Sequence, residues 1–313
     1  MLHLHAIDVS NWIHRAYHVA PALNADNGYP TGATKVFISM VESLVGKLRE
    51  DKERTGDTHV VVFAADAPRT RTWRYRMVRD WADGDALGKD YYYKAKRTTD
   101  REKTESLRLQ IKLAFDMLEC AGFPILYNDT AEADDILATL AYAFRKKANV
   151  IVHLHTRDKD CAQLMVYPNV WIEHPKVGNE KARTLKTRED CIAVYGVPPE
   201  SIVDYLVMLG DSADNIPGIP GIGEAKAVAT IEEYGTLAAA LADPKFVKRF
   251  KSLRENSIVM PIDMMSELIE LDHKVEGIPS KLQEFARAKM TTKRSKALRN
   301  LKNEYQFNSL FGA

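Results

Sequence analysis

The sequence predicts an α/β fold: a mostly parallel sheet flanked by helices, followed by a helical C-terminal module. Three observations predict it. Short β-branched runs recur through the first half of the chain. Segments with helical spacing lie between them. The strand signal then stops near residue 184, where helices punctuated by Gly and Pro take over. Strands alternating with helices imply a parallel sheet covered on both faces.

"LHLHAIDV" (2–9) alternates and ends at Asp8, as a strand running into a site would. A helical pattern follows at roughly 33–50, then "HVVVFAAD" (59–66), a second β-branched run that ends on Asp66. "FPILY" (123–127) and "NVIVHLHT" (149–156) are further buried-strand candidates, flanked by helical spacing at roughly 101–121 and 131–147. The last of these strands leads into "RDKD", with Asp158 and Asp160. Reactive groups in such sheets collect beyond the carboxyl ends of the strands. Asp8, Asp66, Asp158 and Asp160 all fall at that edge. The expected division is a catalytic core over 1–183 and a helical module over 184–313. In the module, "TREDCIAVYGVPPESIVDYLVMLG" reads as two short helices broken by "GVPPE". "DSADNIPGIPGIGEAKAVATIEEYGTL" reads as a Gly/Pro turn between helices, with Gly235 ending the second.

The totals bound the function. With 313 residues, 45% of them hydrophobic, the chain can bury one large core or two modest ones. Lys plus Arg number 44 against 43 Asp plus Glu, so net charge does not reveal a nucleic-acid partner and only clustering can. Clusters exist: residues 69–112 hold 13 Lys/Arg against 7 acids, and 281–302 hold eight against one, Glu284. Both supply basic surface of the kind nucleic acid needs. Cys120, Cys161 and Cys191 lie far apart without CxxC spacing, which argues against a disulfide framework or zinc site and suits a reducing compartment. No apolar run approaches the roughly 20 residues of a membrane span, and "MLHLHAIDVS" lacks a signal-peptide pattern. The expectation is a soluble cytoplasmic protein, monomeric and without a membrane partner.

The stretch "EADDILATLA" (132–141) places Glu132, Asp134 and Asp135 ahead of an apolar helix. Asp129 with Glu132 fits an N-cap and its partner three residues on, and acids suit a helix N-terminus. That explains Asp134 and Asp135 poorly, because adjacent aspartates repel. "GDSAD" adds Asp211 and Asp214, three apart and on one face of a turn or helix start. Nine carboxylates thus sit at strand ends or helix starts. If they converge, cations must neutralise them. Hard oxygen ligands without a Cys or His cluster point to Mg²⁺ or Mn²⁺ rather than zinc. Two such ions are the usual apparatus for phosphodiester hydrolysis.

"EADDILATLA", "TRDKDCAQLM", "YGVPPESIVDYLVMLGDSADNIPGIPGIGEAKA" and "YYYKAKR" closely resemble the 5′-nuclease domain of bacterial DNA polymerase I and its stand-alone bacterial and phage relatives. The resemblance runs from "AIDVSNWIHRAYH" to "EYQFNSLFGA". It implies a PIN-like nuclease core with a helical arch (about 69–112) and a helix–three-turn–helix DNA-binding element (about 206–234). It implies a flap endonuclease and 5′–3′ exonuclease acting on branched or 5′-ended DNA in replication or repair, with a polymerase as a conceivable partner. The chain ends where a polymerase-linked relative would continue, so a free-standing nuclease is expected.

By the resemblance, the metal-binding acids are Asp8, Asp66, Glu132, Asp134, Asp135, Asp158, Asp160, Asp211 and Asp214. Asp66, Glu132, Asp134 and Asp135 fall nearer a first ion. Asp160, Asp211 and Asp214 fall nearer a second, with Asp158 between. Lys94 and Arg97 carry over as catalytic groups at the scissile phosphate, and Tyr93 as an aromatic that stacks on a frayed base. Gly218, Gly221, Gly223 and Lys226 of "GIPGIGEAK" correspond to the turn that grips duplex backbone and holds K⁺ through its carbonyls.

Some features depart from the pattern. The family usually reads "VFD" where this chain has "VFAAD", so Asp66 is assigned as the nearest carboxylate. The segment from Asp66 to Lys94 is also longer, with 74–90 containing the surplus. His3 with His5 and His153 with His155 form alternating pairs on strands that could be neighbours; a soft-metal site is one reading, hydrogen-bonded histidines the other. Trp12 and Tyr17 are expected in or near the core. The alternative functions are a non-catalytic branched-DNA-binding protein and a PIN-like ribonuclease.

Overall fold

The computed structural model describes residues 1–21, 23–96, 101–176 and 181–307. Its sheet has six strands in the order β3-β2-β1-β4-β5-β6. They are β1 (Leu2–Asp8), β2 (Thr58–Ala64), β3 (Ile125–Leu126), β4 (Val150–His155), β5 (Val170–His174) and β6 (Arg183–Leu185). The first five pair in parallel, and β6 closes the edge antiparallel to β5. The four strands expected from the sequence are present. β5 and β6 were not expected, and β6 carries strand structure one residue past 184. Both are short, and the three residues of β6 carry no alternation from which a strand could be read.

Around the sheet lie α1 (Val9–Val19), α2 (Gly32–Thr55), α3 (Trp73–Gly84), α4 (Arg101–Cys120) and α5 (Ala133–Phe144). Successive strand residues point to opposite faces. Leu4 and Ala6 of β1 accordingly join Val62, Val152 and Ile136 on the α5 side, while Ile7 joins Phe37, Phe63 and Trp12 on the α1/α2/α4 side. Both faces are buried, which is why the strands read as apolar runs. Trp12 is in this core, and Tyr17 packs against it.

The C-terminal half is α6 (Arg188–Tyr195), α7 (Ile202–Leu209), α8 (Glu224–Tyr234), α9 (Leu237–Ala242), α10 (Pro244–Arg249), α11 (Lys251–Arg254), α12 (Ile262–Ile269) and α13 (Thr292–Glu304). Gly235 caps α8 at φ +77°, as its position predicts. These helices share the core of the first half. Leu206 and Leu268 belong to the same apolar cluster as Leu4 and Val152, and Leu298 of α13 packs with Leu113 and Met117 of α4.

The strand histidines are indeed neighbours. His3 Nδ1 lies 2.8 Å from His153 Nε2, and His5 Nδ1 lies 3.0 Å from His155 Nε2. His59 of β2 joins them, its Nδ1 3.1 Å from His5 Nε2. Glu173, Asp51 and Asp57 border the ladder. Both nitrogens of His5 and of His153, and one each of His3, His59 and His155, thus face another imidazole or an acid at hydrogen-bond spacing, which is the reading that needs no metal.

Candidate active site

The strand order reverses direction between β1 and β4, and a crevice opens beyond the carboxyl ends at such a point. Asp8 ends β1 and caps α1, accepting from Asn11 N at 2.9 Å and from Thr156 Oγ1 at 3.2 Å. Asp66 lies two residues past β2, yet its Oδ1 accepts from Ala133 N at 2.8 Å, so it caps the start of α5. The "VFAAD" register therefore still delivers Asp66 to the crevice. Glu132 and Asp134 arrive with the α5 N-terminus and Asp158 with the turn after β4. Asp8, Asp66, Glu132, Asp134 and Asp158 line a cleft of about 540 Å³ together with Asn11, Arg15, Arg69 and Lys94.

Asp160, Asp211 and Asp214 continue the acidic surface. Asp160 begins a 3₁₀ turn, and its N–H donates to Asp158 Oδ1 at 3.0 Å. Asp211 and Asp214 sit on the loop after α7, where the Asp211 carboxylate accepts from Ala213 N and Asp214 N. That loop is pinched shut by two glycines. Gly210 (φ +74°) and Gly218 (φ +70°) stack so closely that a Cβ on either would lie 2.5–2.6 Å from backbone atoms of the other side. Gly218 thus serves loop closure rather than open contact with a phosphate. Gly221 and Gly223 are exposed, and Gly223 caps α8 without a side chain.

The electrostatics follow from crowding. Burial lifts the Asp8 carboxyl to about 8, with the charge of Asp66 adding to it. Burial raises Asp134 well above the usual range, followed by repulsion from Asp158, Asp8, Asp66 and Glu132. Asp158 and Asp160 are raised mainly by burial as well. Two lysines offset part of this charge. Lys94 Nζ lies 2.5 Å from Glu132 Oε1 and 3.7 Å from Asp214 Oδ2, and Lys159 Nζ lies 3.1 Å from Asp211 Oδ2. Lys94 has φ +58°, a conformation uncommon outside glycine, held by its N–H to Asp214 O at 3.0 Å and by Arg69 Nη1 to its own carbonyl at 2.9 Å. Strain of this kind clusters at functional sites.

Two sequence assignments change. Asp135 is fully buried and turned away from the cleft. Its carboxylate takes Arg74 Nη1 at 2.7 Å and Nη2 at 2.8 Å, Trp73 Nε1 at 3.2 Å and Asp272 N at 3.0 Å. With those donors it has little left for a cation. It ties α3 and α5 to the segment after α12, where Arg74 also reaches Leu268 O and Glu270 O. Tyr93 is 3% exposed rather than open for stacking, with its hydroxyl 2.7 Å from Asp214 Oδ2 and 3.0 Å from Glu132 Oε2. The surplus within 74–90 is mostly α3, packed on the core through Arg74, Val78 and Ala82. Arg97 lies outside the described residues.

Sequence reading missed Asn11, Thr156, Arg15 and Arg69, which hold or line the cleft; only their closeness to Asp8, Asp158 and Asp66 in sequence signalled them. Among the described residues no three His, Cys, Asp or Glu groups already surround one point as a ligand set. The donor chemistry nevertheless fits a divalent cation: buried carboxylate oxygens with raised proton affinity and two lysines as counter-charge.

Comparison with known proteins identifies the family and the fold. The model of the 5′-3′ exonuclease N-terminal resolvase-like domain matches residues 3–196, and that of the 5′-3′ exonuclease C-terminal SAM fold matches 197–306. A 5′-3′ exonuclease of Aquifex aeolicus is 32% identical over 270 residues, 86% of this chain and 83% of that protein. DNA polymerase I of Rhizobium leguminosarum is 34% identical over 271 residues, 84% of this chain but 23% of that protein. The fold matches that of T5 5′-exonuclease with bound divalent metal ions (zinc), at TM-score 0.59 and 18% identity over 96% of this chain and 99% of that one. It also matches the catalytic core of Rad2 in complex with DNA substrate, at TM-score 0.57 and 18% identity over 97% and 88%. The chain belongs to the 5′–3′ exonuclease family.

Proposed function

We propose that the chain is a structure-specific 5′-nuclease, a flap endonuclease and 5′–3′ exonuclease that hydrolyses phosphodiesters near 5′ ends and junctions of branched DNA. One observation carries this reading: carboxylates from five separate segments, at Asp8, Asp66, Glu132/Asp134, Asp158/Asp160 and Asp211/Asp214, meet around Lys94. Mg²⁺, with Mn²⁺ as a substitute, suits these oxygen donors. Such ions, when bound, supply an activated water and neutralise charge on the phosphate. Asp8, Asp66, Glu132, Asp134 and Asp158 would hold one ion, and Asp158, Asp160, Asp211 and Asp214 another.

The remaining residues position and neutralise. Asn11 and Thr156 orient Asp8. Lys94 brings a fixed cation to the lip of the acidic cleft, where a scissile phosphate would gain charge. The bare N-terminus of α8 offers backbone N–H groups to duplex phosphate without reading bases. At the same turn, Lys226 Nζ donates to Gly221 O at 2.8 Å, so its ammonium already occupies a carbonyl that K⁺ would use.

Product mapping on end-labelled 5′-flap, nicked and blunt duplexes tests the reading. Cleavage at the junction with Mg²⁺ and none with EDTA is expected. Binding without cleavage would mean a DNA-binding protein, and cleavage of the RNA counterpart alone a ribonuclease. Either result would overturn the proposal.

A further inference from the structure

Two acids assigned to different ions meet at a single phenol. The Tyr93 hydroxyl lies 3.0 Å from Glu132 Oε2, of the first set, and 2.7 Å from Asp214 Oδ2, of the second. Its ring is buried among Val62, Ile136 and Leu206 in the core. We propose that Tyr93 is a positioning residue of the hydrolytic centre: its hydroxyl fixes the Glu132 and Asp214 carboxylates relative to each other, so that the two ion sites form together. The inference rests on the nuclease reading above and gives Tyr93 a task other than stacking on DNA.

The chemistry of the group suits the task. A phenol keeps its proton to about pH 10 and has one hydrogen to give, so it serves one carboxylate at a time. A cation arriving beside Glu132 or Asp214 changes which of the two it serves, and occupancy at one site is felt at the other. Lys94 reaches the same two carboxylates with a full charge that a cation must displace. Tyr93 is neutral and orients them without opposing a cation. Outer donors to ligating carboxylates typically set metal affinity by about 10–100-fold. The surrounding chain is built to hold the hydroxyl in place. Residues 90–95 are stitched to the loop bearing Asp214: Lys94 N donates to Asp214 O at 3.0 Å, and Asn215 Nδ2 donates to Asp90 O at 2.8 Å and to Tyr92 O at 3.1 Å. Lys94 (φ +58°) and Asn215 (φ +64°) both take left-handed backbone, a cost that persists only where the surroundings over-determine it. From the other side, Arg74 Nη1 stands 3.4 Å from the same Glu132 Oε2. A ring that served only to stack on a base would have to be exposed and would need none of these ties.

The test uses Tyr93→Phe, which keeps the ring and removes the hydroxyl, and Asn215→Gly, which keeps the left-handed turn and removes the amide that ties the loop. Mn²⁺ binding without DNA is measured by calorimetry, and unfolding in EDTA by circular dichroism. Flap affinity in EDTA is read by fluorescence anisotropy, and single-turnover cleavage is followed across Mg²⁺ concentrations. Tyr93→Phe should bind Mn²⁺ about tenfold more weakly and need about tenfold more Mg²⁺ for half its maximal rate, a deficit that narrows as Mg²⁺ rises. Its flap affinity and Tm in EDTA should stay close to wild type. Asn215→Gly should shift the two ion-dependent quantities in the same direction, by less. Wild-type Mn²⁺ affinity and Mg²⁺ dependence in Tyr93→Phe, beside a wild type that cuts, would overturn the positioning role and leave the nuclease reading standing. Weakened flap binding with ion binding intact would also overturn it, returning Tyr93 to contact with DNA. A wild type that cleaves at no Mg²⁺ concentration would remove the nuclease reading itself.

Discussion

Asp134 and Asp135 are adjacent, yet their substitution by asparagine should have opposite consequences. Asp135 is 0% exposed and accepts two guanidinium N–H groups, an indole N–H and two backbone N–H groups. Asparagine keeps the shape but turns one oxygen into a donor facing donors and leaves the buried Arg74 charge with only the longer 3.4 Å contact to Glu132. Breaking a buried pair from one side costs about 3–5 kcal/mol, a large part of a total stability of roughly 5–15. For 313 residues that corresponds to a fall in Tm of about 5–8 °C. Asp134, by contrast, is destabilised by its neighbours, so Asp134→Asn relieves repulsion. Its Tm in EDTA should equal or exceed that of the wild type. Thermal and urea unfolding followed by circular dichroism in EDTA measures both. Flap cleavage below both Tm values should then fall much further in Asp134→Asn than in Asp135→Asn. A wild-type Tm for Asp135→Asn, or a core-like loss for Asp134→Asn, would refute the division of roles.

Lys94→Ala should slow single-turnover cleavage by about 10²–10³ while flap affinity changes little. The same variant should bind Mn²⁺ more tightly in calorimetry, because Lys94 no longer competes for Glu132. Gly218→Ala forces a Cβ to within 2.6 Å of Gly210 N, so the loop carrying Asp211 and Asp214 must open. Faster amide exchange across 210–218 and loss of cleavage are expected. The histidine ladder should make the core acid-labile. Burial holds His155 down at about 3 and His5 well below 6.5, so the unfolded chain binds protons that the native one refuses. This contribution is complete above about pH 6.5 and is lost as pH falls from there toward 3. By pH 5 the loss amounts to about 2 kcal/mol for His155. The buried carboxylates have the opposite sign, since their raised values favour the native state as pH falls. The histidine effect is therefore read as a difference: His155→Gln should lose less stability than wild type between pH 7 and 5 in urea titrations, and an equal loss would count against the ladder.

What could be read from the sequence follows from range of interaction. β1, β2 and β4 announce themselves because alternation and β-branching are local, and the aspartates that end them mark the reactive edge. β5 and β6 do not, because a five-residue and a three-residue strand are fixed by the neighbours they pair with. The carboxylate ring was legible as residue types at strand ends, but not its membership. Consecutive helix positions face about 100° apart, so only one of Asp134 and Asp135 can enter the cleft, and the choice belongs to Arg74, some sixty residues upstream. Tyr93 likewise looks like a surface aromatic until Glu132 and Asp214 claim its hydroxyl. Gly218 looks like a ligand-facing glycine until Gly210 is seen against it.

Anomalous diffraction from crystals soaked in Mn²⁺ would locate the ions directly. Peaks bounded by Asp8, Asp134 and Asp158 and by Asp160, Asp211 and Asp214 are the expected result. Bound manganese only at the histidine ladder, or none among these aspartates at concentrations that support cleavage, would contradict the assignment of the acidic cleft as the hydrolytic centre.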